Sequence, residues 1–150
     1  PPPSPDHLPT MPTPALQRVL CVEDDPDIRT ILEFSLADVG GLQVRCCDSG
    51  TAALAALADF APDLVLLDVM MPGMSGPDTL RALRALPVMQ GVPVVFLTAK
   101  ALPHELETLL LQGATGVIVK PFDPMTLPQD ILPYWEHGRG VAGPQEGGAG

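Results

Sequence analysis

The stretches "RVLCV" (18 to 22), "DLVLLD" (63 to 68), "PVVFLT" (93 to 98) and "GVIVK" (116 to 120) are apolar without alternation. A strand covered on one face alternates polar with apolar residues, whereas one covered on both faces reads as an unbroken apolar run. "LQVRCC" (42 to 47) is a weaker and more amphipathic fifth run. The segments between them repeat with helical period. The clearest is "PDIRTILEFSLADVG", which sets Ile28, Ile31, Leu32, Ser35 and Leu36 on one stripe, with Asp25 as N-cap, Pro26 at the first helical position and Gly40 past the end. Further helical patterns cover 49–60, 77–86 and 103–113. A shorter one at 123–132 is expected to be broken by Pro128 and closed by Pro133. On the fourth helix, Leu106, Leu109 and Leu110 form the expected inward stripe, leaving Leu111 outside beside Leu102. Parallel strands need crossover helices, so five β/α repeats predict a doubly wound α/β sheet covered by helices on both faces.

The ends of the chain differ from its middle. "PPPSPDHLPTMPTP" is half proline and "HGRGVAGPQEGGAG" is rich in glycine. Residues 1–15 and 137–150 are therefore expected to be disordered tails around one folded domain at 16–136. No basic recognition helix follows that domain, and no apolar run reaches the ~20 residues of a membrane span. The formal charge of −10 disfavours nucleic acid and anionic lipid. Cys21, Cys46 and Cys47 lie in apolar runs without zinc-site spacing, which suits a reduced, cytoplasmic protein.

In such sheets ligands bind beyond the carboxyl ends of the strands. Strand one delivers Glu23, Asp24 and Asp25 to that rim, strand three Asp68, strand four Thr98 and strand five Lys120. Clustered carboxylates repel, and a hard divalent cation such as Mg2+ relieves them together with phosphate oxygens. The loop after strand one has neither GxGxxG nor GxxxxGK[ST], so nucleotide phosphates lack their usual backbone cradle. Each residue also has a bland reading. Asp25, directly before Pro26, is better explained as a helix cap. Thr98 or Lys120 alone would be an ordinary strand-end residue, and Glu23 and Asp24 gain meaning only in company with Asp68. His7, His104 and His137 all fall away from the rim and read as solvated.

Taken together, "VEDDPDIR" (22 to 29), "DLVLLDVMMPGMSG" (63 to 76), "VVFLTA" (94 to 99) and "GVIVKPF" (116 to 122) resemble the response-regulator receiver domains of two-component signalling, in order and spacing. The resemblance implies a flavodoxin-like (βα)5 three-layer sandwich with sheet order 2-1-3-4-5. It also implies a single-domain signalling protein that catalyses only its own phosphorylation and dephosphorylation. Asp68 would accept the phosphoryl group from a histidine kinase or a histidine phosphotransfer protein. Glu23, Asp24, Asp68 and the Met70 carbonyl would hold Mg2+. Thr98 and Lys120 would contact the phosphoryl group, helped by the Met70 and Ala99 backbone amides. Output would pass to a protein partner, or to a second copy of the chain, through the face built from the fourth helix, fifth strand and fifth helix. Many members carry an aromatic residue three positions before the lysine, where this chain has Val117. The alternative is a pseudo-receiver that binds without phosphoryl turnover. A Mg2+-dependent phosphatase would usually carry DxD at the nucleophile, whereas Val69 and Met70 follow Asp68 here.

Overall fold

A computed structural model describes residues 15–100 and 102–140, with side chains through 137. Five strands, β1 (Arg18–Val22), β2 (Gln43–Cys47), β3 (Leu64–Asp68), β4 (Val94–Thr98) and β5 (Gly116–Val119), form one parallel sheet in the order β2-β1-β3-β4-β5. Helices α1 (Pro26–Glu33), α2 (Gly50–Ala56), α3 (Gly76–Arg84), α4 (Pro103–Leu111), α5 (Leu127–Asp130) and α6 (Leu132–Gly140) lie between or after the strands. The sheet order and the doubly wound layers are those expected. The tail expectations for 1–14 and 141–150, and the placement of His7, lie outside the described residues. The helix α6 carries helical backbone past the expected boundary at 136 as far as Gly140.

The unbroken apolar runs are explained by two cores, one on each face of the sheet. Leu20, Val22, Val65, Leu67, Val94 and Phe96 pack with α2, α3 and Leu109 of α4. Val19, Cys21, Leu64, Leu66, Val95 and Leu97 pack with α1, Leu127, Ile131 and Trp135 on the other face. Alternate residues of the same strands serve opposite cores, as side chains on a pleated strand must. Cys21 and Cys47 are buried, Cys46 is partly so, and all three are free thiols.

Several local expectations are corrected. Leu110 is not inward: it is 45% exposed, and only Leu109 of α4 is buried. Four apolar residues among the last six of that helix leave its phase ambiguous in sequence. Ile31 is likewise 41% exposed, at the edge of the α1 contact, while Leu32, Ser35 and Leu36 are buried. The strand β5 is an edge strand, with partners on one side only, so Val117 and Ile118 are half-buried and Val119 is exposed. Pro128 does not break the helix, and α5 ends at Asp130, short of Pro133, which opens α6. Each sits in the first turn of α5 or α6, where a missing N–H forfeits no intrahelical bond. Beyond Glu33 the first helix widens into a π-helical segment, Phe34–Val39, whose Ser35 hydroxyl donates to the Pro124 carbonyl at 2.5 Å.

Candidate functional site

The site lies where the strand order reverses, between β1 and β3. The β1–β3 register sets Val22 beside Leu67, so the residues that follow, Glu23 and Asp68, reach the same edge. The Glu23 N–H donates to the Cys47 carbonyl at 3.0 Å, which extends the ladder one residue past the strand and fixes where the acid emerges. On the other side, the Val69 N–H donates to the Leu97 carbonyl at 3.1 Å. The loop after Asp68 is then closed by the Gly76 N–H on the Val69 carbonyl at 3.0 Å. A Cβ at Gly76 would collide with the Asp68 carbonyl and the Val69 Cα, so this close return needs glycine. Gly73 turns the loop with φ 76°, a conformation that favours glycine.

The structure brings together Glu23, Asp24, Asp68 and Lys120. A carboxylate oxygen from each acid lies within 4.8 Å of the others. Lys120 Nζ is 2.9 Å from Glu23 Oε1 and 2.9 Å from Asp68 Oδ1. Glu23 is 1% and Asp68 4% exposed, while Asp24 is the most open of the three. Burial, partly opposed by the Lys120 hydrogen bond, holds both the Glu23 and the Asp68 carboxyls above the usual carboxylate range. The Asp24 charge raises Asp68 further, and the Asp68 charge in turn raises Glu23. Burial also pulls on Lys120, but its hydrogen bonds to Asp68 and Glu23 outweigh that, and the ammonium stays above its ordinary value. Three carboxylates against one ammonium leave a site short of positive charge, built from hard oxygen donors. That donor set fits Mg2+.

The remaining expected residues are placed less tightly. Asp25 is a cap, its carboxylate accepting from the Asp27 N–H at 2.8 Å. Thr98 is buried at the end of β4, and its hydroxyl accepts from the Lys100 N–H at 3.0 Å along its own loop. Met70 and Ala99 follow the ends of β3 and β4, with the Met70 side chain exposed. His104 and His137 are exposed, and neither joins the cluster of Glu23, Asp24 and Asp68. One participant has no mark in the sequence beyond being an arginine in the first helix: Arg29 Nη1 donates to the Glu23 carbonyl at 2.8 Å and to the Asp24 carbonyl at 3.0 Å.

This parallel sheet, with an acidic pair, a strand-end aspartate and a lysine at its switch point, has the architecture and rim of a signalling receiver module. The family model of the response regulator receiver domain matches residues 19–132, and the chain belongs to that family. It is 42% identical over 111 residues to the DNA-binding response regulator MtrA of Mycolicibacterium smegmatis, covering 74% of this chain and 47% of MtrA. It is 38% identical over 120 residues to the sensor protein GacS of Pseudomonas syringae pv. syringae, covering 78% of this chain and 13% of GacS. The chain thus spans about half the length of MtrA and less of GacS. Among solved structures, the Vibrio cholerae chemotaxis protein CheY4 superposes with a TM-score of 0.74 at 32% identity, over 80% of this chain and 99% of that one. The receiver domain of the Pseudomonas aeruginosa sensor histidine kinase PA1611, described with a magnesium ion coordinated in its active-site cleft, does so with 0.71 at 30%, over 81% and 99%. Receiver domains are signalling domains and not enzymes in the ordinary sense, and they generally bind Mg2+ at an acidic pocket. DNA binding belongs to the name of MtrA. Among the described residues, no helix is long and apolar enough to cross a membrane.

Proposed function

We propose that this chain accepts a phosphoryl group on Asp68, in a Mg2+-dependent reaction, from a phosphohistidine of a kinase or phosphotransfer protein. The observation that carries this reading is Lys120 Nζ at 2.9 Å from both Asp68 and Glu23, inside a trio of acids at the switch point. Glu23, Asp24, Asp68 and the Met70 carbonyl would hold the cation, which when bound offsets repulsion between Asp68 and the incoming phosphoryl oxygens. Lys120 pins one oxygen of Asp68 and orients the carboxylate. An Asp68 oxygen lone pair forms the new P–O bond, while the P–N bond breaks and its electrons return to the imidazole nitrogen. Lys120 then trades its hold on Asp68 for a phosphoryl oxygen. The Thr98 hydroxyl, turning from its loop, donates to another.

A donor must bring its histidine to this edge. Beside Lys120 lies a groove of about 550 Å3, walled mainly by Ile28, Ile31, Phe122 and Pro124. It suits the apolar face of a histidine-bearing helix. On the far side, Leu102, Leu110 and Leu111 stay exposed on and beside α4, and this leucine-edged face is the proposed readout surface toward a protein partner or a second copy of the chain. The test is the mass of the protein after incubation with acetyl phosphate and Mg2+, followed by peptide mapping. One added phosphoryl group on Asp68 is expected, and none when Mg2+ is chelated before acetyl phosphate is added. Its absence, with Mg2+ still bound, would favour a binding module without phosphoryl turnover.

A further inference from the structure

At the end of β1 the Glu23 N–H still pairs with Cys47, and the chain then leaves the sheet and turns into α1, so the Glu23 and Asp24 carbonyls come to face that helix. Arg29 reaches back from α1 to both. Its Nη1 donates to the Glu23 carbonyl at 2.8 Å and to the Asp24 carbonyl at 3.0 Å. The backbone of Arg29 is itself anchored. Its N–H donates to the Asp25 carbonyl at 3.0 Å, and its carbonyl lies 4.0 Å from the Cys46 thiol of β2. One nitrogen thus ties two successive peptides to a helix that Asp25 caps and that rests on the neighbouring strand. Each residue has only two soft backbone dihedrals. Fixing both carbonyls therefore fixes the directions in which the Glu23 and Asp24 side chains leave the chain.

We propose that Arg29 is a positioning residue for the cation site: it holds the Glu23–Asp24 peptides so that their carboxylates face Asp68. The proposal rests on the reading of that trio as the Mg2+ site. Among the described residues Arg29 forms no salt bridge with the three acids, so it acts on their backbone and leaves their oxygens to the ion.

A positioning role and a purely electrostatic one have opposite signs. A guanidinium beside a divalent cation repels it, so if Arg29 acted only through its charge, removing the charge would tighten Mg2+ binding. If it acts by holding the acids, removing it loosens the site and weakens binding despite the relieved repulsion. Loss of partners that orient ligands typically costs 10–100-fold in metal affinity. A merely structural arginine would lower the melting temperature and leave the affinity of the folded protein unchanged.

The experiment is a calorimetric titration with Mg2+ at neutral pH and low temperature, where folding of each variant is verified by circular dichroism. Wild type, Arg29→Gln, Arg29→Lys, Asp24→Ala and Arg45→Gln are compared. Arg45→Gln removes one positive charge from a partly exposed pair with Asp59, and it should bind Mg2+ as wild type does. Arg29→Gln is expected to bind about 10-fold more weakly or worse. Arg29→Lys keeps the charge and can reach at least one carbonyl, so it should fall between Arg29→Gln and wild type. Unchanged or tighter binding by Arg29→Gln overturns the proposal. If that variant does not fold, undiminished binding by Arg29→Lys overturns it instead. Should Asp24→Ala bind Mg2+ as well as wild type, or wild type not bind it, the underlying assignment of the cation site fails first. A loss confined to the Arg29 variants while Asp24→Ala is silent therefore counts against both.

Discussion

Around β1 and β3 every helix start carries a side-chain cap, whereas the start of α4 carries none. Asp25, Ser49 and Ser75 accept from backbone N–H groups of α1, α2 and α3, while Leu102 stands at the cap position of α4. The burial follows the same division. The helix α3 buries Thr79, Leu80 and Leu83, but α4 buries Leu109 alone. The central strands β3 and β4 are buried throughout, and β5 is not. The acidic corner is thus built on well-capped, buried supports, and the fourth helix is drawn from the loosely held part of the molecule. Phosphoryl chemistry needs acids held within fractions of an ångström, while a readout needs an element that moves at small cost. The two requirements fall on opposite sides of Thr98, the residue proposed to link them.

The largest expected effect lies on the rigid side. Asp68→Asn should abolish phosphorylation by acetyl phosphate, as read by intact mass, yet leave the fold standing, because Lys120 keeps Glu23 as a partner. Undiminished labelling would place the acceptor elsewhere. Truncation sharpens the contrast in packing. Leu80→Ala, in the buried core, should cost about 2–5 kcal/mol by denaturant titration, and Leu110→Ala, half-exposed on α4, less than about 1 kcal/mol. Equal losses would erase the distinction between the two halves.

Titration should also mark the rigid corner. The folded Asp68 and Glu23 carboxyls sit above the usual range chiefly because they are buried. Between the ordinary carboxylate values and those raised ones, the folded protein keeps protons that the unfolded chain has released. The stability of the metal-free protein should therefore fall as pH rises through that window. Lys120 acts in the same direction at alkaline pH, since a raised ammonium contributes stability that is lost as pH rises through its folded value. Asp68→Asn should flatten the acidic part of the curve in thermal melts at graded pH. A slope unchanged in that variant would assign the effect to Glu23 or to other groups.

Caps provide a smaller and more pointed test. Ser75→Ala should cost about 1 kcal/mol. On α4 the reverse change is available. Glu105 stands three residues after Leu102, with a buried, unpartnered Oε1, so Leu102→Ser would complete a capping box. The expected gain is about 1 kcal/mol, and a stiffened α4 should respond less to phosphorylation in hydrogen exchange of 102–111. A gain in stability with an undiminished response would show that α4 is not the moving element.

How far this division could be read from sequence depends on the kind of signal. The strand runs and the residues at their ends place Glu23, Asp24, Asp68 and Lys120 on one rim, because a buried parallel strand leaves little freedom in where its last residue emerges. Asp25 as a cap was legible for the same reason: Pro26 after it fixes the helix start. Leu110, Ile31 and the exposed flank of β5 were not, since an apolar residue says that burial is favourable and not which neighbour supplies it. Arg29 was invisible because its partners are backbone carbonyls, which every residue carries. The turn of Thr98 toward Lys100 is a choice between two acceptable hydrogen-bond partners, which residue type does not decide.

The smallest effect on stability is expected at Leu111, and it carries the readout. That residue is 80% exposed at the end of α4, so Leu111→Glu should leave stability within about 0.5 kcal/mol. Val117, by contrast, is half-buried against the core beneath α4 and has no aromatic ring to swing. If phosphorylation moves the Thr98 loop and α4, the change is displayed on the leucine-edged face, and the half-buried valine serves only as packing. Leu111→Glu should then retain phosphorylation of Asp68 yet lose phosphorylation-dependent association, measured by light scattering for self-association and by pull-down with the cognate partner once it is in hand. Val117→Ala should lose some stability and keep association. The opposite outcome, association intact with Leu111→Glu and lost with Val117→Ala, would move the switch from the fourth helix to the fifth strand, and the loosely held half would then owe its role to its edge strand.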